Sequence, residues 1–255
     1  MATLDRSGVS IYYEVHGTGP VILLSHGYSA TSQMWRGQID TLTRNHRLVL
    51  WDMRGHGRSD SPEDPDAYSE ALTVADMAAL LDEVGAEQAI VGGLSLGGYM
   101  SLAFHLAHPE RVRALMVIDT GPGFRKDAAR EDWNRNALRA GERLESMGLE
   151  ALQGLSREMA TSTHRSAKGL ALAARGMLTQ RDARVIDSLP HIAVPTLIVV
   201  GANDEPFLPA AEYMNRKIPD SRKVVIPNAG HAVNLDRPEP FNRAVAEFLA
   251  KLDGA

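Results

Sequence analysis

Ala89-Ile90-Val91-Gly92-Gly93-Leu94-Ser95-Leu96-Gly97-Gly98-Tyr99 is the stretch that decides the fold. Residues 89–92 are a short apolar run of strand type, residues 99–107 follow a helical pattern, and Gly93 to Gly97 between them has the form G-x-S-x-G. In a chain with 22 glycines that form alone says little, and its place between a strand and a helix gives it meaning. A serine on so tight a turn needs glycine two residues before and after it, because a side chain there would collide with the neighbouring strand or helix. Ser95 is then presented at the carboxyl end of a strand, with the Leu96 N–H at a helix start facing any negative charge that develops beside it.

The same alternation runs through most of the chain. Apolar, β-branched runs predict strands at residues 11–14, 21–25, 48–52, 89–92, 114–119, 196–201 and 223–226, and helical spacing predicts helices at 33–42, 73–84, 99–107, 209–218 and 241–252. Several of the strands are too apolar to have a wet face, which predicts an α/β protein with a parallel sheet covered on both sides. The alternation stops after Asp119 and resumes at Pro195. Between them the spacing of Leu138, Leu144 and Met147, of Leu152, Leu155 and Met159, and of Leu170, Ala174, Met177 and Leu178 is helical. This predicts a core of residues 1–120 and 191–255 carrying an all-helical insertion, residues 121–190, hinged at Gly121-Pro122-Gly123 and at 190–195.

Composition narrows the chemistry. Lys plus Arg total 27 against 32 Asp plus Glu, a net charge of −5, which predicts no nucleic-acid partner. With no cysteine there is no disulfide framework, no thiolate nucleophile and no Cys-ligated metal. His105 and His108 have metal-like spacing but no carboxylate joins them, and neither G-x-G-x-x-G nor a P-loop occurs, so no metal and no cofactor are expected. Residues 1–10 lack the apolar stretch of a secretory signal, and the longest apolar runs fall far short of the ~20 residues needed to span a bilayer. The expected setting is cytoplasmic, away from membranes, with monomer or homo-oligomer left open.

A serine hydroxyl needs a base, and that base needs an acceptor to orient it. Among nine histidines, His231 stands on a loop after the 223–226 strand and before the last helix, so it falls on the same sheet rim as Ser95. Asp204, just past the 196–201 strand, lies between Ser and His in chain order. Asp119 at the end of 114–119 is its rival. The strand 21–25 runs into His26-Gly27-Tyr28, which offers the Tyr28 N–H as a second oxyanion donor beside that of Leu96. Gly27, Tyr28, Leu96 and Val233 are the positions expected to touch substrate.

These residues carry a resemblance to the α/β-hydrolase superfamily that covers nearly the whole chain. Ser25-His26-Gly27 resembles its oxyanion loop, residues 52–59 its D-x-R-G-x-G-x-S turn, 93–98 its elbow, 201–204 its acid loop and Gly230-His231 its base loop. The resemblance implies a mostly parallel eight-stranded sheet flanked by helices, with residues 121–190 as a helical cap. It also implies a cofactor-independent serine hydrolase of carboxylic esters or lactones, a small-molecule substrate, and a Ser95, His231, Asp204 triad. Haloalkane dehalogenases and epoxide hydrolases are disfavoured because they carry aspartate where Ser95 stands. Carbon–carbon bond hydrolases and haloperoxidases are disfavoured by Tyr28-Ser29 and Ala232-Val233. Met34-Trp35 with Gln38 resembles small-ester carboxylesterases and enol-lactonases. A carbon–carbon hydrolase, a perhydrolase, an acyltransferase and a slow-turnover ligand receptor on this scaffold are the alternatives.

Overall fold

Strands β1 (Ala2–Asp5), β2 (Ser10–Gly17), β3 (Val21–Ser25), β4 (Arg47–Trp51), β5 (Ala89–Leu94), β6 (Val112–Ile118), β7 (Thr196–Gly201) and β8 (Ser221–Ile226) form one sheet in the order β1-β2-β4-β3-β5-β6-β7-β8. They come from a computed structural model that describes residues 2–154 and 156–254. The pairs β1–β2 and β2–β4 are antiparallel and every other pair is parallel, so β2 alone runs against the rest. Every residue of β3, β5 and β7 is buried, as strands covered on both faces require.

Helices α1 (Ile39–Leu42), α2 (Glu70–Glu83) and α3 (Leu96–Ala107) alternate with the early strands. Between β6 and β7 come α4 (Asp127–Met147), α5 (Arg157–Ala160), α6 (Ala167–Ala173) and α7 (Arg184–Ser188), with no strand among the described residues there. The chain closes with α8 (Leu208–Lys217), α9 (Val233–Asp236) and α10 (Pro238–Asp253). No helix among the described residues is long and apolar enough to cross a membrane.

Successive strand residues point to opposite faces, and the core divides accordingly. Leu23, Val91, Leu115, Val117, Ile198 and Val200 pack with Met77 and Leu80 of α2, Met100 and Phe104 of α3 and Met214 of α8. Their neighbours Ile22, Ile90, Met116, Leu197 and Val199 pack on the other face with Trp35 and with Phe241, Val245, Phe248 and Leu249 of α10. That i, i+4, i+7, i+8 set is the apolar stripe of an amphipathic helix, and each such side chain contributes about 1.5 to 3 kcal/mol on burial.

Three local differences have physical causes. β1 escaped the sequence pattern because three of its four residues are exposed at the sheet edge. Helix α2 begins at Glu70 rather than 73, since the Ser69 hydroxyl accepts the Leu72 N–H at 3.1 Å and caps it. In α4 the buried stripe is Ala137, Gly141 and Leu144, whereas Leu138 and Met147 are exposed. Small residues let α4 approach α6 closely: a Cβ on Gly141 would lie 3.2 Å from the Ala171 carbonyl oxygen. Leu155 lies outside the described residues.

The 52–59 turn is locked to α2 by a buried ion pair, in which Arg54 donates to both Asp76 oxygens at 2.6 and 2.9 Å. Asp76→Ala strands a guanidinium that is 5% exposed, and we expect a loss of about 3 to 5 kcal/mol in urea unfolding. A loss below about 1 kcal/mol would show that water replaces the carboxylate.

Candidate active site

β3, β5, β6, β7 and β8 all end on one rim, and the loops leaving them carry the residues singled out above. β3 sits between β4 and β5, where the chain order reverses, which is where open α/β sheets leave a crevice. Ser95 follows β5 with φ 55° and ψ −117°, a strained conformation for a residue with a side chain. It is held there by its N–H, which donates to the Ile118 carbonyl at 2.9 Å, and by the Thr120 hydroxyl, which donates to its carbonyl at 2.6 Å. The glycines are required by contact: a Cβ on Gly93 would meet the Gly97 carbonyl carbon at 2.5 Å, and one on Gly97 would overlap the Ser25 carbonyl oxygen.

The loop after β3 lies alongside, since a Cβ on Gly27 would stand 3.5 Å from that of Ser95. Leu96 opens α3, so its N–H lacks an intrahelical acceptor, and the Tyr28 N–H makes no hydrogen bond among the described residues. His26 holds this loop from beneath. Its Nδ1–H donates to the Gly27 carbonyl at 2.7 Å and its Nε2 accepts the Met53 N–H at 2.9 Å. Burial pushes its ionisation down to about 4, which keeps the ring neutral and able to accept.

His231, on the loop after β8, places Nδ1 2.8 Å from Oδ2 of Asp204 on the loop after β7. The carboxylate is buried and the imidazole is partly exposed, with the Phe207 ring packed at 4.9 Å. No hydrogen bond joins the Ser95 hydroxyl to His231 in this conformation. Asn234 steadies the base loop: its amide donates to the Met34 carbonyl at 2.8 Å and to Gln38 Oε1 at 3.0 Å, and Gln38 donates back to the Asn234 carbonyl at 3.2 Å. Met34 and Gln38 are therefore buried supports of the His231 loop, and Trp35 packs in the core beside Phe241.

Asp119 takes a different position. Its carboxyl accepts the N–H groups of Gly201 at 2.8 Å and Val233 at 3.3 Å, so it ties together the two loops that carry Asp204 and His231. Burial, aided by the charge of the adjacent Asp204, pushes Asp119 up to about 9, so it holds a proton at neutral pH. The fold thus favours the protonated form: the stabilisation is complete below the ordinary carboxyl range near ~4 and is lost as pH rises to about 9. Asp119→Asn cannot ionise, so its Tm should fall less than that of the wild type between about pH 5 and about pH 9. Parallel pH profiles would contradict this account.

A cavity of about 260 Å³ opens at Ser95 and Leu96, with Tyr99, Phe124, Trp133 and Leu178 among its walls. Gly27, Tyr28 and Val233 do not line it. The Val233 side chain is wholly buried in the core, because the turn of α9 that follows His231 directs it inward. The Tyr28 hydroxyl donates to the Leu170 carbonyl at 2.9 Å, joining the β3 loop to α6. Arg125 pairs with Asp187 and Arg130 with Asp127. Sequence reading missed Asp119 as a clamp, Asn234 as a brace, and Gln180, whose cavity position no pattern announces.

Among known proteins, "Putative 2-succinyl-6-hydroxy-2,4-cyclohexadiene-1-carboxylate synthase" of Bacillus subtilis is 27% identical over 95% of this chain and 96% of its own. "Putative carbamate hydrolase RutD" of Azorhizobium caulinodans is 30% identical over 95% and 96% respectively. Of solved structures, a thermophilic esterase from Thermogutta terrifontis is 30% identical with a TM-score of 0.81, over 98% of this chain and 97% of that one. The profile of the alpha/beta hydrolase family matches residues 21–244, a span that runs from β3 to the last helix and includes Ser95, Asp204 and His231. A match of that extent, on a sheet of this order, makes the chain a member of the alpha/beta hydrolase family.

Proposed function

We propose that this chain is a serine hydrolase of small to medium carboxylic esters or lactones, with residues 121–190 as a cap over the active site. The observation that carries the reading is the His231 imidazole, oriented by a buried Asp204 at 2.8 Å on the rim that presents Ser95. Ser95 Oγ attacks the ester carbonyl as His231 Nε2 takes its proton, and the Leu96 and Tyr28 N–H groups receive the oxyanion. His231 then passes that proton to the departing alkoxide, leaving an acyl group on Ser95. Water attacks the acyl carbonyl, His231 takes the water proton, and its return to Ser95 releases the acid. Asp204 holds the Nδ1–H tautomer and stabilises the imidazolium. The hydroxyl–imidazole hydrogen bond forms as substrate docks, as is common where a free site is looser than its complex.

A carbamate carbonyl presents the same electrophile to the same groups, and the 30% identity to a protein named a carbamate hydrolase favours it as second substrate class. The test is a p-nitrophenyl panel, acetate to octanoate, with an N-alkylcarbamate alongside. Catalytic turnover with a nitrophenol burst near one per chain is the expected result. Failure to turn over any member would overturn the reading and raise the slow-turnover receptor in its place.

A further inference from the structure

Resting on the ester reading above, we infer that Gln180 is a specificity-determining residue, and that the preferred acyl group carries a neutral hydrogen-bonding group, such as a ketone or hydroxyl, at its far end. The cavity beside Ser95 is walled mostly by apolar side chains, yet Gln180, a residue only 8% exposed, is among its lining. Its Oε1 has no hydrogen-bond partner among the described residues, and its Nε2 donates to none. Leaving an amide at a cavity wall without a protein partner is costly once a ligand displaces water from it, so it points to a group that arrives with the ligand.

Gln180 is held in place for that purpose. Its N–H donates to Asn134 Oδ1 and its carbonyl accepts from Asn134 Nδ2, both at 2.8 Å, while Trp133 Nε1 donates to the Leu178 carbonyl at 2.8 Å. The backbone of this segment is thereby fixed to α4, leaving the side-chain amide for the cavity. Gly123 makes room for it, since a Cβ there would stand 2.9 Å from Gln180 Oε1.

The cavity holds the acyl part. It is lined by Ser95 and Leu96 but not by His231, and the leaving group must sit where His231 can protonate it, so what enters the cavity is what stays on Ser95. No Lys, Arg or His lines it, so a carboxylate would be buried there without a cation; the favoured group is neutral. Neither end of the amide is tied down by a hydrogen bond, so a half-turn presents either its oxygen, which accepts from a hydroxyl, or its NH₂, which donates to a ketone. A volume of about 260 Å³ suits an acyl chain of roughly eight water-sized groups or fewer.

The test measures kcat/KM for p-nitrophenyl 4-oxopentanoate against pentanoate and for 5-oxohexanoate against hexanoate, so that two ketone positions are compared with chains of the same length. The wild type should prefer one keto ester by about tenfold, the scale of one neutral hydrogen bond. Gln180→Met should bring that ratio to about one or below, because the alkyl chain no longer strips water from an amide. Ratios at or below one for both wild-type pairs would overturn the proposal, as would an unchanged ratio in Gln180→Met. The wild-type arm decides even if the variant does not fold. Hydrolysis of the alkanoates with no keto preference sinks the role of Gln180 alone, whereas hydrolysis of neither series, or turnover that survives in Ser95→Ala, sinks the ester reading beneath it.

Discussion

Ser95→Ala should lower kcat by about 10⁵- to 10⁶-fold while leaving the fold and its melting temperature in place. The expectation follows from two features of the elbow. The hydroxyl makes no hydrogen bond within the described residues, so deleting it strands no partner. The backbone strain at φ 55° is also unchanged, because alanine suffers the same Cβ contact as serine. The substitution closes the proposed covalent route and leaves only the slow catalysis that the two proposed oxyanion donors would supply to water. A variant that kept more than a hundredth of wild-type turnover would place the nucleophile elsewhere.

Asp204→Asn should cost about 10³- to 10⁴-fold in kcat, since an amide can turn its NH₂ toward His231 and hold the wrong tautomer. Asp119→Asn should cost far less, within about tenfold, because Asp119 touches backbone N–H groups of the two loops and not the imidazole. The pair of variants separates the two carboxyls sharply despite their adjacency. Equal losses would mean that the two neighbouring carboxyls act on His231 as a unit, rather than Asp204 alone. Both are read from kcat on the best nitrophenyl ester, with melting curves to exclude unfolding.

Much of this was legible in the sequence because the informative residues sit at strand ends in chain order. Ser95 was marked by glycines whose necessity is local, and the structure shows the contacts that exclude side chains there. His231 and Asp204 each follow a strand, and the rim brings them to 2.8 Å. Choosing between Asp204 and Asp119 is harder from sequence, since both follow strands, and only the direction of each carboxyl separates them. Val233 reads from sequence as a substrate contact, but the helical turn after His231 sends its side chain into the core. Residues 33–42 read as one helix, yet 32–38 wind as a 3₁₀ segment that buries Met34 and Trp35 before α1 begins. In α4 the conspicuous leucine at 138 was the weaker guide, because close helix contact selected Ala137 and Gly141 instead. Gln180 carries no local signal at all: its place depends on Asn134, 46 residues earlier in the chain.

The most direct test of a nucleophilic Ser95 is mass spectrometry after exposure to diethyl p-nitrophenyl phosphate, which gives a stable diethylphosphoryl ester with an activated serine. We expect one adduct per chain, on the peptide carrying Ser95, formed with release of one nitrophenol and abolished in His231→Ala at the same reagent concentration and time. An adduct on any other residue, or an enzyme that turns over esters while Ser95 stays unmodified, would contradict the account.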